Sequence, residues 1–184
     1  MMNKVKIDHI FSYLDQLFPE AGCELNYVRD YELLLAVMLS AQTTDASVNK
    51  VTAVLFARYP SLEALHLAPY QDIESVIQTI GLYKTKAKHL KGIVATLLTE
   101  FDSKVPMEKE LLMTLPGVGI KTANVVRAEL FHIPEIAVDT HVSRIAKRLG
   151  FAKSGDAVET IEKKLRRALD ASQYIKAHHQ MIHF

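Results

Sequence analysis

One stretch of the sequence combines a glycine turn with a lysine that could act as a nucleophile. The run LPGVGIKTANVV begins at Leu115, and Lys121 follows two residues after its second glycine. Glycines permit unusual backbone angles, and a turn that opens into a helix points N–H groups at anions. We therefore predict that Gly117, Val118 and Gly119 form a phosphate-binding turn. A tight helix–helix corner without a ligand is the alternative, which spacing alone leaves open.

Lys121 falls in the first turn of the helix that follows this glycine turn. A cation is disfavoured there because the helix N-terminus already carries partial positive charge, which favours the neutral amine. A neutral lysine amine is a nucleophile that forms Schiff bases with carbonyl carbons. A lysine that only binds phosphate is the alternative.

A second candidate lies in the run VDTHVSRIAKRLG, where Asp139 precedes an amphipathic helix. An aspartate at a helix start is held ionised and fixed, so near a neutral lysine it could relay protons and stabilise positive charge. Most such aspartates only cap their helix. His141 lies beside Asp139 and could orient the site, although a structural histidine fits equally well.

The segment GLYKTKA at Gly81 is a weak echo of the glycine turn. Four lysines follow, Lys84, Lys86, Lys88 and Lys91, and they could lie close to a second phosphate segment. A run of lysines on a helix is more often a solvated face, so this support is modest.

These residues must be positioned by helices, because apolar residues recur at helical spacing along the 184-residue chain. We find no convincing strand pattern and predict an all-α fold of about ten helices. The run YELLLAVMLSA predicts a central buried helix, Asp45 is expected to cap the next helix, and Asp156 with Glu159 to open a later one. We expect a C-terminal core of Val142, Ile145, Leu149, Ile161, Leu165 and Leu169, with the last apolar positions at Ile175, Ile182 and Phe184.

Composition excludes several classes of protein. The single cysteine, Cys23, leaves neither an internal disulfide nor a cysteine-held cluster. The apolar runs are short of the roughly 20 residues of a membrane span, and the N-terminus lacks a signal-peptide core. With a net charge of +1 a nucleic-acid partner would need a local basic face. His178, His179 and His183 could suggest a metal, but we see no acidic or cysteine partner nearby and favour helix packing.

The two motifs together resemble the helix-hairpin-helix DNA glycosylase superfamily. Four further segments match it in the same order: CEL at Cys23, SAQTTD at Ser40, IGLYKTKA at Ile80 and HHQMI at His178. Within it the pattern is most similar to endonuclease III. The resemblance spans essentially the whole chain. It implies two helical domains with a DNA-binding cleft between them: a six-helix barrel at 22–133 that contains the helix-hairpin-helix motif, and a second domain formed by 1–21 and 134–184.

The resemblance also implies a reaction. Lys121 matches the family's nucleophile and Asp139 its assisting carboxylate, so we expect a DNA glycosylase with AP lyase activity. Such an enzyme removes oxidised pyrimidines from duplex DNA through a Schiff base and β-elimination. A different specificity, such as mismatches, and a non-catalytic DNA-binding module are the alternatives.

The resemblance further suggests DNA contacts. Gln42 would fill the hole left by the flipped nucleotide, and Leu82 would be an apolar wedge. Core packing is the alternative for Leu82. Further DNA contacts are expected from Asp45, Tyr83, Lys84, Gly117, Val118, Gly119 and His141. The carbonyls of Leu115, Gly117 and Val118 are expected to bind a monovalent cation, as in relatives.

One departure concerns the cofactor. Relatives usually carry a 4Fe–4S cluster on a four-cysteine loop, and this chain ends at Phe184, about where that loop would begin. We therefore expect no cofactor in this chain, which is either shortened or naturally without the cluster. The expected partner is damaged double-stranded DNA, with no membrane. The protein is expected to be a monomer in the bacterial cytoplasm, associated with the nucleoid.

Overall fold

A computed structural model describes residues 3–184, which form α-helices joined by turns and loops, and one 3₁₀ turn. The all-α prediction is confirmed. The helices are α1 Lys4–Leu17, α2 Asp30–Leu39, α3 Asp45–Arg58, α4 Leu62–Leu67, α5 Tyr70–Ile77, α6 Tyr83–Glu100, α7 Lys109–Leu112, α8 Ile120–Phe131, α9 Thr140–Leu149, α10 Val158–Ala168 and α11 Tyr174–His183; the 3₁₀ turn is Ala171–Gln173.

Backbone contacts divide the chain into two compact units. One unit is 24–126, and the other joins the residues up to 23 with 127–184. The division falls within α8. The predicted domains, a six-helix barrel at 22–133 and a second helical domain formed by 1–21 and 134–184, stay predictions.

In the unit 24–126, α2 lies at the centre of the core. Leu33 and Leu39 are fully buried, as is most of the helix between them. A helix without a polar face must be covered on every side, and α2 packs on α3 and α6, while α6 also contacts α4 and α5. The predicted central helix is thus confirmed, and α6 supports much of this unit.

The core of the other unit forms where α1 meets the C-terminal helices. One face of α1 buries Ile7, Phe11 and Leu14. They cluster with the expected C-terminal residues, of which Leu149 is only partly buried and the rest are buried: Val142, Ile145, Ile161, Leu165 and Leu169. The predicted C-terminal core is confirmed.

Two predicted helix caps were wrong. Thr44, not Asp45, caps α3, and its hydroxyl accepts the N–H of Ser47. Asp45 is the first residue of that helix. Ala157 stands at the N-cap of α10, because the Asp156 carboxylate instead accepts the N–H of Lys153 and binds Lys164. At α3 the neighbours Thr44 and Asp45 both carry a side-chain oxygen that can cap a helix, so the sequence does not separate them.

In the C-terminal helix α11, burial does not follow the last apolar positions of the sequence. Ile182 and Phe184 are 38% and 47% exposed, whereas Met181 is buried in the core. His179 is buried too, and its Nε2 lies 2.7 Å from a carboxylate oxygen of Glu129. The histidine therefore has an acidic partner, which the sequence interpretation did not find.

Within the part of the chain that the structure describes, none of the helices is both long enough and apolar enough to span a bilayer.

Candidate functional site

The glycine turn is a short hairpin between α7 and α8. The N–H of Val118 donates to the carbonyl of Leu115 at 3.1 Å and closes the turn. Gly117 has φ +76°, and a Cβ there would lie 2.4 Å from Nδ1 of His89. Gly119 lacks a positive φ, and a Cβ on it would meet nothing within 4 Å. Of these two glycines, which both permit unusual backbone angles, Gly117 adopts one and Gly119 does not.

Helix α6 supports the hairpin from one side. The α6 residue Gly92 faces Pro116, whose Cγ would be 2.8 Å from a Cβ at position 92. His89, one turn earlier on α6, lies against Gly117. Small residues at these contacts let the hairpin backbone approach the helix closely, so α6 sets the position of the turn.

Helix α8 begins immediately after the hairpin. Lys121 is its second residue and is exposed, next to Ile120, which is 57% exposed. The carbonyl of Gly119 accepts the N–H of Ala123 at 2.9 Å. The earlier N–H groups of an α-helix have no partner within the helix, so they can bind an anion. Lys121 therefore stands in the first turn of a helix whose N-terminal N–H groups are able to bind an anion.

A second turn, residues 80–83, precedes α6 and is called here the Leu82 turn. Leu82 has φ 58° and is 64% exposed, so its predicted exposure is confirmed and core packing is excluded. The left-handed residue is Leu82 rather than Gly81, at which a Cβ would meet nothing within 4 Å. The sequence echo between this turn and the hairpin therefore does not extend to the same backbone geometry.

A third turn, residues 40–44, connects α2 to α3 and is called here the Gln42 turn. Gln42 is exposed and has φ 56°. The N–H of Thr43 donates to the carbonyl of Ser40 at 3.0 Å. Asp45 follows at the start of α3 and is partly buried. Both residues proposed to enter DNA thus sit at left-handed positions that only glycine adopts without cost.

The residues after Leu82 differ in exposure. Tyr83 is the first residue of α6 and is partly buried, whereas Lys84 is exposed. The Lys84 carbonyl accepts a hydrogen bond from the Tyr70 hydroxyl at 2.8 Å. This bond fixes the backbone of Lys84 and leaves its ammonium at the surface.

Two of the four lysines on α6 make hydrogen bonds to other groups of the protein. Lys86 is only 4% exposed, and its Nζ lies 2.8 Å from Oγ1 of Thr43. Nζ of Lys91 donates to the carbonyls at the end of α4, including that of Ala68 at 2.8 Å. The idea that all four lysines lie ready for a phosphate was wrong for these two, whereas Lys84 and Lys88 are exposed.

Asp139 is the N-cap of α9, as predicted. Its Oδ1 accepts the N–H of Val142 at 2.7 Å, and the residue is partly buried. His141, in the first turn of α9, is also partly buried, and its Nδ1 lies 3.0 Å from Nη2 of Arg144. The carboxylate is therefore held by its own helix.

The chain that leads to Asp139 is anchored by a buried carboxylate. Glu135 is 6% exposed and binds Arg127 of α8 through one oxygen and Arg166 of α10 through the other. Residues 136–138 that follow are buried. This arrangement fixes the backbone entry to Asp139 from both sides, and sequence patterns gave no sign of it.

Lys121 belongs to the unit 24–126 and Asp139 to the other unit. Within the first unit, the hairpin, the Leu82 turn and the Gln42 turn all contact α6. The catalytic and DNA-binding roles of these residues stay predictions. Sequence analysis missed that Lys86 connects two of these turns, because the sequence does not show that this lysine is buried.

The residues present do not fit an iron–sulfur cluster held by four cysteines. The chain has one cysteine, Cys23, which is partly buried. Among residues 3–184, no group of three or more His, Cys, Asp or Glu side chains is arranged to hold a metal ion. The carbonyls of Leu115, Gly117 and Val118 share one turn, which suits a monovalent cation, and this site also stays a prediction.

Comparison with known proteins places this geometry in a family. Residues 35–171 match the model of the HhH-GPD superfamily of base excision DNA repair proteins. Endonuclease III of Bacillus subtilis (strain 168) is 41% identical over 184 residues, which is 100% of this chain and 84% of that protein. Endonuclease III of Escherichia coli (strain K12) is 41% identical over 181 residues, which is 98% of this chain and 85% of the relative.

Comparison with solved structures also finds similarity to endonuclease III. A trapped endonuclease III–DNA covalent intermediate, an estranged-adenine complex, has a TM-score of 0.94 and 43% identity, with 100% of this chain and 86% of that chain covered. A thermostable thymine-DNA glycosylase has a TM-score of 0.80 at 18% identity, over 97% and 84% of the two chains, and shows a shared fold alone.

Proposed function

Because this chain belongs to the HhH-GPD superfamily of base excision DNA repair proteins and, within it, to the endonuclease III family, we propose that Lys121 is its nucleophile. The chain is a DNA glycosylase and AP lyase. Its proposed substrates are oxidised pyrimidines in duplex DNA.

The position of Lys121 supports the proposal most directly. Its amine is exposed in the first turn of α8, directly after the hairpin. A phosphate bound at that helix end would hold the sugar next to the amine. The solved relative with a TM-score of 0.94 was trapped as a covalent intermediate with DNA, which is the kind of intermediate that an amine nucleophile forms.

The reaction begins once the damaged nucleotide has left the base stack, since its C1′ atom cannot be reached inside the duplex. The Nζ lone pair of Lys121 forms a bond to C1′ while the bond from C1′ to the base breaks. The base leaves with that electron pair and takes up a proton. Loss of a proton from nitrogen and opening of the sugar ring give a Schiff base. Removal of a C2′ hydrogen then expels the 3′ phosphate, and water releases Lys121.

Asp139 supplies the negative charge that this sequence needs. Its carboxylate is proposed to accept a proton from the Lys121 amine before attack and to stabilise the positive charge on the sugar afterwards. The hydrogen bond from the Val142 N–H at 2.7 Å holds the carboxylate in one orientation. A fixed charge of this kind costs little reorganisation during the reaction.

DNA binding is proposed to use the three turns around α6. The hairpin N–H groups of Gly117, Val118 and Gly119 bind a phosphate, and a cation on the nearby carbonyls would add positive charge there. Gln42 fills the space left by the flipped nucleotide while Leu82 separates the neighbouring bases. Further contacts are proposed from Asp45, Tyr83, Lys84 and His141. The protein is proposed to act as a monomer on duplex DNA in the bacterial cytoplasm.

The experiment that tests this function offers the protein a panel of duplexes with one altered base each, followed by borohydride reduction. An oxidised pyrimidine, a mismatch and a preformed abasic site serve as substrates. With the oxidised pyrimidine we expect base release, strand cleavage and a reduced covalent complex. With the abasic site, which has no base to release, we expect strand cleavage and the covalent complex. Release from the mismatch alone would establish a different specificity, and binding without release or trapping would contradict the proposed enzyme.

A further inference from the structure

Lys86 is a buried lysine whose position the function described so far does not explain. It is 4% exposed, and its Nζ lies 2.8 Å from Oγ1 of Thr43. Within residues 3–184, the ammonium of Lys86 therefore binds a hydroxyl group rather than a carboxylate. Removing an ammonium from water is costly unless it is paired, and burial lowers the pKa of Lys86. Stability alone would favour an apolar side chain of the same shape here.

The bond from Lys86 joins two turns that are far apart in sequence. At one end of the lysine, its N–H donates to the carbonyl of Leu82 at 3.0 Å, within the first turn of α6. At the other end, its Nζ binds Thr43, the residue directly after Gln42. One side chain therefore connects the Leu82 turn to the Gln42 turn.

Both connected turns are strained. Gln42 has φ 56° and Leu82 has φ 58°, and both side chains are exposed. Residues other than glycine keep such angles only when the surrounding structure holds them. Each turn has a local bond, from Thr43 to Ser40 and from Lys86 to Leu82. The Lys86–Thr43 hydrogen bond links one of these turns to the other.

We propose that Lys86 is a positioning residue that holds Gln42 and Leu82 in register, so that both side chains enter the duplex at the same base step. The inference rests on the proposed function, in which these two side chains occupy the DNA. DNA binding by Gln42 and Leu82 then requires a fixed spacing between the two turns, which neither turn sets by itself. A charge-assisted hydrogen bond is directional, which is a property that a methionine of similar length does not supply.

The test uses four single variants of the full chain and the double variant that combines Lys86→Met with Thr43→Val. Lys86→Met keeps the aliphatic stem and removes the ammonium, and Thr43→Val removes the acceptor. Thr43→Ser retains a hydroxyl and is the conservative variant. Lys91→Met is the matched control, since this lysine is on the same helix but binds the carbonyls at the end of α4.

Two readouts separate positioning from general damage. Fluorescence of 2-aminopurine placed opposite an uncleavable abasic analogue reports whether the opposite base has lost its stacking. The second readout is the ratio of kcat/KM on an oxidised pyrimidine in intact duplex to kcat/KM on the same lesion opposite a one-nucleotide gap. In the gapped substrate there is no opposite base to displace, so correct spacing of the two side chains matters less.

We expect Lys86→Met and Thr43→Val each to lower this ratio about tenfold, the size that the loss of one hydrogen bond to a charged group produces. Both should lower the 2-aminopurine signal at saturating protein. Thr43→Ser and Lys91→Met should match the wild type. In the double variant the second substitution should add little, because both remove the same bond. Melting temperatures should show that Lys86→Met stays folded.

Two outcomes would overturn the inference: an unchanged ratio in Thr43→Val, which includes an equal loss on both substrates, or the same fall of the ratio in Lys91→Met. If Lys86→Met does not fold, Thr43→Val and Thr43→Ser still decide the question. Failure of the proposed function looks different, because the wild type itself would then neither act on these duplexes nor raise the fluorescence.

Discussion

The Oδ1 atom of Asp139 lies 2.7 Å from the backbone nitrogen of Val142 and caps helix α9. The same carboxylate is the one proposed to accept a proton from Lys121. A cap needs only a side-chain oxygen, whereas proton transfer and charge stabilisation need the negative charge. The structural and chemical roles of Asp139 can therefore be separated by substitution.

The first prediction compares Asp139→Asn with Asp139→Ala. Asparagine still offers an oxygen to the Val142 N–H, so stability should change little while the single-turnover rate falls at least about 100-fold. Alanine should lose the rate and also about 1 kcal/mol of stability. Urea unfolding and single-turnover assays measure the two effects. An Asp139→Asn enzyme with nearly full activity and a lowered melting temperature would show that the residue is only a cap.

The second prediction concerns the hairpin glycines. At Gly119 a Cβ meets nothing within 4 Å, so Gly119→Val should fold normally and yet obstruct a phosphate that approaches the turn. Affinity for an abasic analogue should fall on every sequence, with a shallower salt dependence. Gly117→Ala is the contrasting variant, because its Cβ would lie 2.4 Å from His89 and the residue has φ +76°; it should lose stability first. Unchanged affinity in Gly119→Val would remove the hairpin from the phosphate site.

The third prediction concerns Glu135, which lies buried between Arg127 and Arg166. Glu135→Gln leaves two guanidinium groups without their shared carboxylate and should cost about 3 kcal/mol of unfolding free energy. Glu162→Gln is the control, because Glu162 binds Arg166 at the more exposed edge of the pair and should cost about 0–1 kcal/mol. Equal losses in the two variants would show that burial of Glu135 does not set its importance.

The fourth prediction is the acid sensitivity of the unit that contains α10. The hydrogen bond from Lys164 and then the N–H of Lys153 hold the pKa of Asp156 below its usual 3.8. Because the folded-state pKa is the lower one, the stabilisation is complete above the unfolded value near pH 4 and is lost as the pH falls through the folded-state pKa. Asp156→Asn should therefore lose less stability than the wild type between about pH 6 and about pH 3.

Urea midpoints at the two pH values measure this effect, with Asp8→Asn as a control at an exposed carboxylate of the same unit. If Asp156→Asn and Asp8→Asn keep the same acid dependence as the wild type, the Lys164 contact contributes nothing to acid stability.

Features that depend on a local run of residues were predictable from the sequence. Helix α2 was predictable because nine apolar-rich positions in a row leave burial as the only stable solution, and Asp139 was predictable because N-capping is a local property. Gln42 and Leu82 were identified through resemblance, but their left-handed backbone was not expected, because it depends on contacts outside each turn.

The burial of the lysines on α6 could not be predicted from the sequence. Lys84, Lys86, Lys88 and Lys91 look alike in the sequence, yet two are exposed and two bind groups within the protein. Which of them is buried depends on where α2 and α4 pack against α6, and this is a tertiary property. At the N-caps of α3 and α10 the causes were local: Thr44 stands next to Asp45 and caps α3, and Asp156 binds Lys153 and Lys164 while Ala157 takes the N-cap position of α10.

The most direct measurement of the central claim is borohydride trapping of Lys121→Gln on a duplex with one abasic site. Trapping needs a primary amine at C1′, so the variant should form no reduced covalent complex while its affinity for an uncleavable analogue stays within about threefold of the wild type. Lys50→Gln, which removes an exposed lysine from α3, should trap like the wild type. Covalent complex from Lys121→Gln at the wild-type rate would contradict the assignment of this lysine as the nucleophile.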